Sequence, residues 1–322
     1  MLHPEFTQSK LTMNKQTVKN LLQPKNWLLY LTYLIVRLLL LLPYSILMYI
    51  GSALGLLAFY TFRGRRNIAE TNISLCFPQL NAKQQKQLVK ANMISSGKTL
   101  FETAMAYWSP DKKMIGLYEI EGLNNLEKAL EAKHGVILLS AHFTMLDLAV
   151  RMLNITLDKP AHMMYRKHND PFIESFIHKG RIKHCGKTIG KKDVGGILES
   201  LANNNAIWYA PDQNFKYHMV FAPFFGIQAA TVTGTTRLAS ESNAKVVPFF
   251  FYRKPNNEGY TLEFQPALEN FPCGDKYQDT VRINQLIEEA VKKHPEQYLW
   301  THRRFKTRPP GEPLIYPKKK KR

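Results

Sequence analysis

The chain starts polar, turns apolar between residues 27 and 62, and then alternates short apolar runs with amphipathic stretches. Residues 1–26 are basic (Lys10, Lys15, Lys19, Lys25) and lack the layout of a cleavable signal peptide. From Trp27 to Phe62 the apolar character is interrupted chiefly by Arg37 and Pro43. Tyr44 to Phe62 carries no charge, and a helix of that length spans about 28 Å, enough for a hydrocarbon core. Trp27, Tyr30, Tyr33 and Tyr60 fall where interfacial aromatics belong, and RGRR at 63–66 reads as a cytoplasmic basic flank. A broken helix, a hairpin turning at Pro43 and an in-plane anchor all fit, with a buried core helix as the competing reading. The expectation is membrane attachment.

Beyond residue 80 the period changes. Val89, Met93, Leu100, Ala104 and Trp108 give helical spacing over 83–108. GVILLS (135–140), AHMMY (161–165), AIWYA (206–210) and KVVPFFFY (245–252) read as strands. Helices are expected at 145–153, 171–184, 194–203, 232–242 and 279–293, and YTLEFQ (260–265) is expected to pair with the 245–252 strand. This alternation predicts an α/β fold, a mixed and mostly parallel sheet flanked by helices, behind an N-terminal membrane-anchoring helix. The expected organisation is a basic segment 1–26, an anchor 27–62, a catalytic domain 63–310 and a basic tail 311–322.

The formal charge of +19 is concentrated at the ends: KKKKR at 318–322 carries +5, and residues 1–66 carry +7. The intervening residues still hold +7, so the body is basic too. Beside an apolar anchor such a balance favours an anionic membrane over nucleic acid, for which no motif is present. Three cysteines (Cys76, Cys185, Cys273), without C-x-x-C spacing, argue against a disulfide framework or a thiolate metal site. His162 and His168 lack a third ligand at metal spacing, so no metal and no cofactor is expected. Nucleophile-elbow, P-loop and dinucleotide fingerprints are absent as well.

The candidate chemistry lies in loops past strand ends, where α/β sheets collect their functional groups. AHFTMLD places His142 and Asp147 in an H-x-x-x-x-D arrangement after GVILLS. On one helix residues five apart diverge by about 140°, so the two meet only if His142 precedes the helix and Asp147 lies in its opening turns. A histidine there suits proton abstraction from a hydroxyl, and a carboxylate beside it fixes the tautomer. The spacing alone equally fits a structural histidine. YRKHNDP (165–171) puts Arg166 past a second strand, and APDQNF (210–215) puts Asp212 past a third. Arg166 also reads as a solvated charge and Asp212 as a turn former. Arg181, in HKGRIKHCG, is suited to gripping a carboxylate or phosphate, or equally to a solvated helix face.

Together these blocks resemble the lipid A biosynthesis late acyltransferases of the lysophospholipid acyltransferase superfamily. The resemblance runs from the membrane segment to about residue 310. It rests on RRNIAETNISLCFPQL (65–80), the H-x-x-x-x-D block, YRKHNDP, and the 31-residue step from Arg181 to Asp212. WYAPDQN, FAPFFGIQAATVTGTTRLA (221–239) and PEQYLWTHRRFKTRP (295–309) complete it. APDQN stands where the glycerophosphate branch has an FPEGTR-like block. The resemblance implies a glycerolipid acyltransferase-like fold and an inner-membrane enzyme with its active site facing the cytoplasm. It implies acyl transfer from acyl carrier protein to a hydroxyl of a Kdo-lipid IV(A)-type lipid A precursor. By that resemblance His142 is the general base and Asp147 its orienting partner, with Arg166, Arg181 and Asp212 as substrate-binding positions. A glycerolipid or other glycolipid acyltransferase, and a non-catalytic lipid-binding module, are the alternatives.

Overall fold

A computed structural model of the chain describes residues 27–168 and 170–316. The basic segment 1–26, Asn169 of the YRKHNDP block and the KKKKR tail lie outside the described residues. Helix α1 (Trp27–Leu39) and helix α2 (Tyr44–Thr61) are separated at Pro43, where a helix cannot continue without losing a backbone donor. Then come α3 (Arg63–Cys76) and α4 (Ala82–Trp108). Asn81 and Gln84 cap α4 reciprocally, each side chain accepting the other's backbone N–H.

The remaining elements are β1 (Tyr118–Glu121), α5 (Leu123–Leu130), β2 (Val136–Leu139), α6 (Leu146–Thr156), β3 (His162–Tyr165) and α7 (Pro171–Ile182). They continue with β4 (Thr188–Gly190), α8 (Val194–Ala202), β5 (Ala206–Tyr209), β6 (Met219–Phe224), β7 (Ile227–Val232) and α9 (Gly234–Ser242). The last are β8 (Lys245–Arg253), β9 (Tyr260–Phe264) and α10 (Lys276–Lys293). The main sheet runs β1-β9-β8-β2-β5-β3-β4, parallel at every junction except the β8–β9 hairpin. The expected α/β fold with a mostly parallel sheet is therefore present. Its central strands β2 and β5 are buried on both faces, which is why they read as unbroken apolar runs.

Two features differ from the sequence reading. FAPFFGIQAATV, where no strand was expected, forms a separate β6–β7 hairpin turning at Phe225 and Gly226, both at positive φ. The short strands β1 and β4 and helix α5 had no distinct signal.

Helix α2 is the one helix among the described residues long and apolar enough to cross a membrane. It is also docked along α4. A Cβ on Gly97 of α4 would stand 2.3 Å from the Gly51 carbonyl and 2.4 Å from the Gly55 nitrogen, so the two backbones touch through glycine. Leu47, Met48 and Phe59 face inward, while Tyr49, Leu57 and Tyr60 are exposed. α1 packs through Tyr33 on Trp108 and Phe176 and leaves Leu31, Leu34 and Leu38 exposed. Beneath α4, Glu102 and Arg253 form a buried two-pronged ion pair at 2.7 Å, with the Tyr260 hydroxyl donating to Glu102 at 2.9 Å. That pair fastens α4 to β8 at the centre of the sheet.

Candidate active site

Strands β2 and β5 are adjacent, parallel and in register, Leu139 opposite Tyr209. The ladder extends one step further, the Ser140 N–H donating to the Tyr209 carbonyl at 2.9 Å. Each chain then leaves the sheet, and His142 and Asp212 stand three residues beyond that matched pair. Equal offsets on neighbouring strands bring them together. His142 Nδ1 lies 2.5 Å from Asp212 Oδ1, and the His142 backbone N–H donates to Asp212 Oδ2 at 2.9 Å. A carboxylate at Nδ1 assigns the neutral imidazole's proton to that nitrogen and leaves the Nε2 lone pair uncommitted. The His142 side chain is 25% exposed and that of Asp212 only 2%, so the base meets solvent and the acid does not.

Burial alone would raise the Asp212 carboxyl, but the His142 ring and backbone donors, with Arg304 further off, hold it down to about 2. It is therefore an anion at neutral pH. The buried Arg304 guanidinium donates to the Ala230 carbonyl at 3.0 Å and to Thr231 Oγ1 at 2.6 Å, tying the β6–β7 hairpin to this loop. The segment 297–299 braces the His142 loop from the other side. Leu299 N–H donates to the His142 carbonyl at 3.0 Å, and Thr144 N–H to the Gln297 carbonyl at 2.8 Å. The Trp208 ring stands edge-on to the imidazole, with 6.0 Å between centroids.

Asp147 occupies the first turn of α6, as expected, but its partner is Arg181 of α7. Arg181 Nε donates to Oδ1 at 2.8 Å and an Nη to Oδ2 at 3.2 Å, a two-pronged contact. The expected His142–Asp147 pairing is thus corrected: the carboxylate on the imidazole is Asp212. Sequence proximity favoured the residue five positions away, whereas strand adjacency delivers one that is 70 positions away. Gly180 packs against the Tyr107 ring, where a Cβ would approach to 2.4 Å, which lets α7 bring Arg181 in. Arg166 is exposed, one residue past β3, at the same edge of the sheet. The thiol of Cys185 is pushed up to about 12, first by burial and then by Asp147, which makes it a poor nucleophile at neutral pH. Among the described residues no group of His, Cys, Asp or Glu is arranged to hold a metal ion.

Sequence reasoning missed His302. Its Nε2 accepts the Asn214 N–H at 3.1 Å, and its pKa falls to about 4 through burial and the nearby His142, Arg304 and Arg65, with Asp212 opposing. Its only sequence signal was membership of the T-H-R-R run.

The sheet thus carries a histidine–carboxylate pair at its carboxyl edge, with two apolar helices packed on α4. The family model for bacterial lipid A biosynthesis acyltransferases matches residues 14–307. The chain is 35% identical over 300 residues to the lipid A biosynthesis palmitoleoyltransferase of Escherichia coli (strain K12), covering 92% of this chain and 97% of that one. It is 35% identical over 298 residues to the lipid A biosynthesis lauroyltransferase of the same organism, with the same coverage. A lipid A biosynthesis acyltransferase of Haemophilus influenzae is 34% identical over 301 residues, covering 92% and 96%. The chain belongs to the bacterial lipid A biosynthesis acyltransferase family, and it is an enzyme that transfers an acyl group to a lipid A precursor.

Proposed function

We propose that the enzyme moves a fatty acyl group from acyl carrier protein to a hydroxyl of a Kdo-lipid IV(A)-type precursor at the inner membrane, its site facing the cytoplasm. The observation carrying this reading is the 2.5 Å contact between His142 and a buried, ionised Asp212. His142 Nε2 takes the proton from the acceptor hydroxyl as its oxygen attacks the thioester carbonyl. Asp212 holds the ring in the matching tautomer and offsets the imidazolium charge. The tetrahedral intermediate then expels the carrier thiolate, which regains a proton from the imidazolium. A thioester is reactive enough that general-base assistance of about 10²–10⁴-fold replaces a covalent enzyme intermediate.

Asp147 and Arg181 form the second wall of the site, the guanidinium held in place to meet an anionic or carbonyl oxygen. Arg166, at the mouth, is assigned to substrate binding. The basic body suits an acidic carrier protein and an anionic membrane. Residues 27–62 are assigned to membrane attachment. The Lys98 backbone lies against Gly51, midway along α2, and a charge at the depth of a bilayer centre is expensive. That favours α1 and α2 lying along the membrane surface with their exposed apolar faces inserted. Mass spectrometry of the acceptor after incubation with acyl carrier proteins of several chain lengths tests the reading. A gain of one acyl group with no acylated enzyme supports it, and a stable acyl-enzyme overturns it.

A further inference from the structure

We infer that a basic basin beside the His142–Asp212 pair binds the phosphate-bearing headgroup of the lipid acceptor; this rests on the acyl-transfer reading above. The basin has a volume of about 690 Å³ and is lined by residues from three separate parts of the chain. Arg65 comes from the first turn of α3, Lys216 from the loop after β5, and Arg303 and Lys306 from the C-terminal segment. No aspartate or glutamate lines it, and none of these four cations forms an ion pair among the described residues. Four like charges gathered in one concavity repel one another, and an anionic ligand relieves that repulsion.

The basin is connected to the site and to the end of α2. Asn214, two residues after Asp212, lines it and donates its N–H to His302 Nε2, so the neutral His302 carries its proton on Nδ1. Arg65 lies four residues beyond the end of α2 and is tethered by a hydrogen bond to the Thr301 carbonyl at 3.2 Å. The opening amides of the 14-residue α3 add their dipole to the same anion-attracting field. An anion carried on a lipid therefore enters where the apolar helix ends, with its acyl chain directed toward His142.

The experiment uses the full-length enzyme, wild type and Lys216→Gln/Arg303→Gln, with two acceptors: the phosphorylated lipid A precursor and the same lipid enzymatically dephosphorylated. Loss of two charge-assisted contacts should raise KM for the phosphorylated acceptor by about 10-fold or more. Turnover at saturation and KM for the acyl donor should stay within about 2-fold, and the preference between acceptors should collapse. Retention of either radiolabelled lipid by the detergent-solubilised, immobilised enzyme, without donor, reads binding independently of turnover and should show the same loss. If wild type turns over neither acceptor while lipid retention still discriminates between them, the acyl-transfer reading fails and the basin stands. A rise in donor KM with acceptor KM unchanged would assign the basin to the acidic carrier protein and overturn the proposal. Unchanged constants in a folded variant would overturn it too.

Discussion

Asp212 and Asp147 close the same edge of the sheet, yet one faces an imidazole and the other a guanidinium. Asp212 is buried and bonded to His142, so its charge is coupled to a proton that comes and goes. Asp147 keeps more solvent contact than Asp212, its side chain being 14% exposed, and is locked to Arg181 through both oxygens. The first pair is built to change charge state during a reaction. The second is built to keep its geometry. Burial matches the roles: an imidazolium forming beside a desolvated carboxylate feels an attraction little weakened by water.

The sharpest break comes from the His142–Asp212 pair. His142→Ala should lower turnover by about 10²–10⁴-fold in a folded protein, because no other histidine among the described residues is hydrogen-bonded to Asp212. Asp212→Asn keeps the shape but not the charge, and should lose about 10²-fold. Steady-state assays paired with circular dichroism check both. A folded His142→Ala enzyme of near wild-type activity would end the mechanism.

The same pair and its neighbour His302 set an acid limit to stability. His302 titrates near 4 when folded, against an ordinary 6.5, so its contribution is whole above about 6.5 and is lost as pH falls toward 4. Asp212 is depressed from 3.8 to about 2, so its contribution is whole above about 3.8 and is lost on the way to 2. By these shifts His302 is worth on the order of 3 kcal/mol and Asp212 on the order of 2 kcal/mol. Urea unfolding of wild type should therefore weaken in two successive windows, 6.5 to 4 and then 3.8 to 2. His302→Gln should reduce the slope of the first window without abolishing it, because burial also lowers His184 to about 4 and holds His162 and His294 below their ordinary value. An unchanged slope there would mean that His302 is not held neutral.

The locked pair should respond less. Asp147→Asn leaves the His142–Asp212 contact in place and loosens Arg181, for an expected loss of about 10-fold in turnover. The ranking of the two carboxylates is the comparison's direct test. A greater loss for Asp147→Asn than for Asp212→Asn would show that Asp147, not Asp212, serves the base in the working complex.

Much of this layout was legible in the chain, for reasons that also explain the rest. β2, β5 and β8 read as strands because buried parallel strands are apolar on both faces, and α4 and α10 because one face is periodic. The β6–β7 hairpin did not. Its turn puts Phe225 at φ 50°, where Asn would announce it, and the turn is held by Glu288, which accepts the Phe225 N–H at 2.8 Å. His142, Arg181, Asp147 and Asp212 could be picked out as loop and helix-end residues, but who pairs with whom depends on β5 lying beside β2. Strand order is a long-range fact that local spacing does not encode. Arg65, Lys216, Arg303 and Lys306 were invisible for a related reason, since each alone looks like a solvated charge.

The finest test concerns whether Asp147 and Arg181 act as one unit. Asp147→Asn and Arg181→Gln should each destabilise the fold, because either leaves the other's charge partly buried and unpaired. The double variant removes both charges, so its loss should fall short of the sum by about 1 kcal/mol, a coupling typical of residues in direct contact. His142→Ala combined with Asp147→Asn should instead be additive in stability, since the two belong to different pairs. Equilibrium unfolding of the single and double variants at pH 7 measures both cycles. Coupling between His142 and Asp147 as large as that between Arg181 and Asp147 would mean that one network, rather than two separate pairs, spans the edge of the sheet.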